Sequence, residues 1–140
     1  MKKTITTLLP LVAATVFIAG CSTYDKGPYR VEQSKTPAYE NTEPVVLLDP
    51  GVQHSVTTTG IQARTLEDGR LEVIAQFRNR ENRRIEVQAN CVFKDLNGFS
   101  TGDETPFQAL ILMENATEQV RFVSMNDQAK RYTIRVRQAR

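Results

Sequence analysis

Two groups of residues in this 140-residue chain have the types and spacing that chemistry needs. The first is the thiol of Cys21, behind Ile18-Ala19-Gly20: a branched apolar side chain, then two small ones. Small side chains leave the backbone accessible, and a cysteine thiolate is a nucleophile. The second group is cationic. Arg78, Arg80, Arg83 and Arg84 crowd one stretch, and Lys130, Arg131, Arg135, Arg137 and Arg140 fill the C-terminus, with no acid after Asp127. Gathered on one surface, Arg78, Arg80, Arg83, Arg84, Arg131, Arg135 and Arg137 would form a partner-binding patch. Forked hydrogen bonds would let it hold anionic headgroups, glycan carboxylates or an acidic protein face. The competing reading is that these charges guard an exposed sheet edge against unwanted strand pairing.

The other candidates are thinner. Cys91 falls on the apolar side of an alternating run, where a thiol behaves as a small buried hydrophobe. His54 is the sole histidine, in a loop after Asp49-Pro50-Gly51, whereas a zinc site wants three or four His or Cys ligands. Asp95-Leu96-Asn97-Gly98 echoes the start of a calcium loop but lacks the later bidentate Glu, so it reads as a hairpin turn. No nucleophile elbow, phosphate-binding glycine loop or dinucleotide fingerprint occurs. Glu81, Glu86, Asp103, Glu104, Glu114 and Glu118 fall in turns or on polar strand faces, where solvation is expected. The expectation is a protein that is not an enzyme, with no catalytic, cofactor-binding or metal-binding residue.

The surroundings of Cys21 sharpen its chemistry. Met1-Lys2-Lys3 is a basic start, and residues 5–19 are largely apolar. That stretch is shorter than the roughly 20 residues of a membrane-spanning helix, so it reads as a secretory leader. The Ile18–Cys21 quartet resembles the lipobox of bacterial lipoproteins. The resemblance implies a signal peptide at residues 1–20, cleavage before Cys21, and a palmitate-type lipid anchor on that residue. Ser22, where an Asp would retain such proteins at the inner membrane, implies sorting to the outer membrane, facing the periplasm. Two or three acyl chains, at about 0.8 kcal/mol per buried methylene, hold a protein on a bilayer stably.

The rest of the chain must position these residues. Residues 21–43 contain Ser, Thr, Asp, Lys, Gly, Pro and Asn without apolar period, and read as a lipidated flexible linker. It would span roughly 26 Å as a coil and at most about 70 Å extended, with Tyr24, Tyr29 and Tyr39 along it. Residues 44–140 then change to short β-rich runs. Val45–Leu48 and Ser55–Thr65 come first, the latter interrupted at Gly60. Asp68-Gly69 is a two-residue hairpin signal leading to Arg70–Asn79. There Leu71, Val73, Ala75 and Phe77 alternate with Glu72, Gln76 and Arg78, the pattern of a half-buried strand. Ile85, Val87, Ala89, Cys91 and Phe93 alternate in the same way, and Phe107–Met113, Thr117–Ser124 and Tyr132–Val136 complete the set. No helix is expected. The reading is an all-β, single immunoglobulin-like β-sandwich of about seven strands.

Charge narrows the partners. There are 18 basic and 16 acidic residues, and removing Lys2 and Lys3 with the leader leaves 16 of each. A nucleic-acid binder would carry a basic excess, so none is expected.

From Arg70 onward the chain resembles the YcfL-like family of small periplasmic lipoproteins, a domain of unknown function. The likeness rests on Phe77-Arg78-Asn79-Arg80, on Ile85–Phe93 leading into Lys94-Asp95-Leu96-Asn97-Gly98, on Thr105-Pro106-Phe107, and on the apolar run Ala109–Met113. Phe93 and Phe107 stand where the family commonly has Trp. The resemblance implies a β-sandwich on a lipid tether and no established activity. Some members are encoded near a lipoprotein that activates peptidoglycan synthases, which implies an envelope protein or the peptidoglycan-synthesis machinery as partner. Two functions are therefore expected to compete: an interaction module of the envelope, or a carrier holding a small lipid or glycan ligand between its sheets.

Overall fold

The computed structural model describes residues 42–139. The leader, Cys21, Ser22, the linker as far as residue 41 with its three tyrosines, and Arg140 lie outside those residues. The described chain forms eight strands and one short helix. The strands are β1 (Val45–Leu47), β2 (Val56–Thr65), β3 (Leu71–Asn79), β4 (Ile85–Lys94), β5 (Ser100–Glu104), β6 (Gln108–Leu112), β7 (Thr117–Val123) and β8 (Arg131–Gln138), with α1 (Pro50–Ser55) between the first two.

Two sheets face each other. One has the order β1-β8-β4, and β4 then pairs with both β6 and β5 along its far side. β6 takes the first half of β4, from Ile85 opposite Leu112 to Ala89 opposite Gln108. β5 takes the second half, near Val92 and Lys94. The other sheet has the order β2-β3-β7. All pairings are antiparallel except β1 with β8, where Val45, Val46 and Leu47 run alongside Ile134, Arg135 and Val136.

The expected alternation fills the space between the sheets. Leu71, Val73, Ala75 and Phe77 from β3 and Ile85, Val87, Ala89, Cys91 and Phe93 from β4 are all buried. Val120, Phe122, Leu110, Leu112, Ile134 and Val136 complete the core with the same period. Cys91 is a buried free thiol whose pKa is pushed up to about 12, mainly by burial and further by the nearby Asp103 charge. It packs as a hydrophobe.

Several local expectations needed correction. The Asp68-Gly69 turn is a three-residue loop: Gly69 N–H closes a turn on Leu66, and Leu66 N–H reaches Arg70 beyond it. Gly69 has φ of +85°, so it supplies the left-handed residue a one-residue bulge needs. Asp95–Gly98 repeats this geometry, with Gly98 at +86° and the Asp95 carboxylate accepting from Asn97 N–H and Phe99 N–H. That carboxylate serves the turn.

The segment after β1 is helical, so His54 sits exposed on α1 rather than in a loop. Asp49 caps the helix by accepting Val52 N–H at 2.9 Å, Pro50 opens its first turn, and Arg80 donates to the carbonyls of Gln53 and His54 at the other end. Six residues carry no helical period, which is why the sequence reads there as a turn. β5 is a further addition, making eight strands rather than seven. Ser100-Thr101-Gly102-Asp103-Glu104 contains no apolar residue to mark an inner face. The inner position is taken by Asp103, which is buried and accepts Met125 N–H, contrary to its expected solvation.

Glu72 is a further polar residue that alternation placed on the outer side and the fold nevertheless covers. Its carboxylate is held between Arg64 of β2 and Arg121 of β7. The Arg64 hydrogen bond, then that of Arg121, lowers its pKa below the ordinary carboxylate value, against the opposing effect of burial. Both guanidiniums are more than half exposed, so this is a solvent-facing clasp across three strands rather than a core charge.

Two outcomes follow from this packing. Phe77→Ala empties a fully buried site and lowers unfolding free energy by about 3–5 kcal/mol in urea titration. Glu72 binds its proton less readily folded than unfolded, so its stabilisation is present above the ordinary carboxylate range and is lost as pH falls through the lowered folded value. Glu72→Gln therefore lowers the thermal midpoint more at neutral pH than at pH about 3.

Candidate functional site

The arginines singled out by sequence do not share one surface. Arg78 lies on β3, on the outer face of the three-stranded sheet. Arg80 caps α1, and Arg83 pairs with Glu81 in the β3–β4 loop. Arg84 is exposed and lines a cleft with Gln138 and Ala139. Arg131, Arg135 and Arg137 alternate along β8 on the outer face of the other sheet, opposite Lys94, Asn90 and Gln88 of β4. The edge-guarding reading also fails for the strands that matter. β8 lies between β1 and β4, and β3 between β2 and β7, so neither is an edge.

What the fold does bring together is Arg135, Arg137 and Phe107. The Arg137 guanidinium lies 3.7 Å from the centroid of the Phe107 ring, and that of Arg135 lies 5.8 Å from it. Arg137 Nε donates to Gln88 at 2.9 Å. Its terminal nitrogens make no hydrogen bond within the described residues. Arg135 is held more tightly: its Nε donates to Asn90 Oδ1 at 3.1 Å, and a terminal nitrogen pairs with Glu104.

Asn90 organises this cluster from below. It is fully buried although its strand position points outward. Its Oδ1 receives Arg135, while its Nδ2 donates to Glu104 at 2.7 Å and to the Thr105 carbonyl at 3.3 Å. Thr105 in turn accepts Cys91 N–H, which fixes the approach to Pro106 and Phe107. Phe107 thus arrives under the arginines because the β5–β6 connection is fastened to β4.

Chemically, the cluster has groups that could hold an anion. A guanidinium stacked on an aromatic face has its plane fixed and its outer N–H fork presented to solvent, suited to a carboxylate or phosphate. Among the described residues, no group of three His, Cys, Asp or Glu side chains could hold a metal ion.

Sequence reasoning missed Phe107 as a site residue, reading it as strand packing. The signal was Thr105-Pro106 before it: proline disfavours helix for its predecessor and holds the chain extended, so the ring is presented by the connection ahead of β6. Arg64 and Arg121, which clasp Glu72, had no comparable signal.

An eight-stranded, two-sheet β-sandwich carrying this cluster is the class of protein the geometry defines. Residues 44–138 match the DUF1425 family, described as a protein of unknown function, and the chain belongs to it. The likeness to YcfL-like lipoprotein domains is thus borne out at the level of a domain without assigned function. Two crystal structures share the fold. The Campylobacter jejuni protein cj0090 superposes with a TM-score of 0.55 at 19% identity, covering 69% of this chain and 98% of its own. A DUF1425 member from Shewanella sp. pv-4 gives 0.55 at 24% identity, covering 61% and 79%. Among curated proteins, none matches this chain.

The stacked pair has a measurable energy. A double-mutant cycle between Arg137→Ala and Phe107→Leu, read by chemical denaturation, should return a coupling of about 0.5–1 kcal/mol. A cycle pairing Arg78→Ala with Phe107→Leu, across opposite faces, should return none.

Proposed function

We propose that this protein is a non-enzymatic lipoprotein of the bacterial outer membrane, anchored through Cys21 and facing the periplasm, whose sandwich docks an acidic face of another envelope protein. The observation that carries the docking half is the Arg135–Arg137–Phe107 cluster. It occupies a paired inner strand, so its cations have no edge to guard, and Arg137 keeps its outer nitrogens clear of internal partners. The anchor half is supported by the Ile18-Ala19-Gly20-Cys21 quartet after a basic and apolar leader. The lipid on Cys21 would be the protein's only non-peptide group, and nucleic acid is no partner. Proteins of peptidoglycan synthesis are the first to examine, because the resemblance implies them.

The carrier reading asks for an apolar cavity of several hundred Å³ between the sheets. Ala75, Phe77, Ala89, Cys91, Phe93, Leu112 and Ile134 have no accessible surface there, which favours the docking module.

Charge reversal separates the recognition face from the other arginines. In cells treated with a cleavable crosslinker, Arg137→Glu should lose the adduct that the wild-type lipoprotein forms, while Arg78→Glu on the opposite sheet should keep it. Arg137→Glu should cost about 1 kcal/mol or less, or at most about 4–8 °C in thermal midpoint. Equal adducts from both variants would defeat the proposal.

A further inference from the structure

β8 begins at Arg131 and β1 runs parallel to it, so the chain enters the sandwich at the end where β8 starts. Glu43 and Pro44 are fastened there, their carbonyls accepting from Thr133 Oγ1 and Ile134 N–H. The β4–β5 turn and the β7–β8 loop lie at the same end, joined by Lys130 N–H to the Lys94 carbonyl. The β2–β3 turn also meets this loop, with Gly69 packed against Asp127.

This end carries three large apolar side chains standing in solvent: Leu96 at 69% exposure, Phe99 at 72% and Met125 at 82%. None of them serves the core. Leu96 and Phe99 are presented by a turn that Asp95 holds rigid through two backbone hydrogen bonds, and Met125 is fixed through its N–H on buried Asp103. Exposed Lys130 and Arg131 stand beside them, with Asp127 and the paired Asp68 of the neighbouring turn.

We infer that these tips form a membrane-docking end, inserting Leu96, Phe99 and Met125 into the lipid surface that holds the anchor. The inference rests on the lipoprotein reading above. Only residues 22–41 separate Cys21 from the first described residue, twenty positions that can reach at most about 70 Å. The first described residues lie at the end that carries the apolar tips, so a lipid on Cys21 would keep those tips within that reach of the bilayer, at high effective concentration. Three side chains would partition weakly from free solution, but tethering removes most of that cost. Docking in this way points the β8 axis away from the lipid and carries Arg137, near the far end of that strand, above the headgroups. The recognition face then stands clear of the membrane.

The chain contains no Trp, so Phe99→Trp creates a single fluorophore at the tip. The mature full-length lipoprotein carrying it is placed in phosphatidylethanolamine–phosphatidylglycerol vesicles with or without brominated acyl chains. Met113→Trp, exposed beyond β6 at the opposite end, is the matched control. The inference predicts blue-shifted emission strongly quenched by brominated lipid for Phe99→Trp, and water-like, unquenched emission for Met113→Trp. Adding Leu96→Asp and Met125→Asp should return the Phe99→Trp signal to its water-like value. Mass spectrometry of the N-terminal peptide and vesicle flotation are read on the same sample. If Cys21 carries lipid and the protein floats, yet both Trp probes report water, the docking inference alone is overturned. If Cys21 is unmodified and the protein does not float, the lipoprotein reading falls, and the inference with it.

Discussion

Asn90 is the residue on which the outer face of the five-stranded sheet depends. An amide buried without partners costs several kcal/mol, so it must spend its hydrogen bonds locally. It does so on Arg135, Glu104 and the Thr105 carbonyl, tying β8, β5 and the β5–β6 connection to β4. β4 is the only strand of that sheet to pair with three others among the described residues, and its inner side is core from Ile85 to Phe93. The same strand therefore fixes the hydrophobic interior on one face and the arginine pair on the other. Arg135 is immobilised as a support, and Arg137, stacked on Phe107, is left to face outward.

The two sheets solve the problem of an outward polar face in different ways. In the three-stranded sheet, Glu72 draws Arg64 and Arg121 together, and both cations share that one acid. In the other sheet one acid, Glu104, serves Arg135, while the neighbouring Arg137 is satisfied by a neutral amide and an aromatic ring. Both clusters thus set two arginines against one carboxylate, and they differ only in that Arg64 and Arg121 share their acid whereas Arg137 has none beside it. The docking face proposed above is the one that holds the guanidinium without a carboxylate partner.

Most of the sandwich was legible because its core strands alternate strictly. Val73, Ala75 and Phe77, or Val87, Ala89 and Cys91, can be assigned to the interior without knowing their partners. Asp68-Gly69 and Asn97-Gly98 were legible as turns for an equally local reason, since glycine readily takes the positive φ that Gly69 and Gly98 adopt. β5 was hidden because its inner residue is Asp103, whose burial depends on Met125 N–H, over twenty residues away in sequence. The candidate site was half visible. Arg135 and Arg137 share a face by parity alone, but whether Arg78 joins them depends on which sheet each strand enters, and that is a long-range fact. Phe107 was seen as an aromatic and misplaced, since its neighbours are set by the fastening of Thr105 to Cys91.

The central claim is that the outward face of β8, and not the opposite sheet, meets another envelope protein. Ala109, exposed on β6 and paired with Gln88, borders that face, whereas Gln119 is exposed on β7 across the sandwich. A photo-crosslinking amino acid placed at each position in the lipoprotein, in living cells, reads the two faces directly. The account predicts one recurrent protein adduct from Ala109 and none from Gln119. A recurrent adduct from Gln119 with none from Ala109 would contradict it.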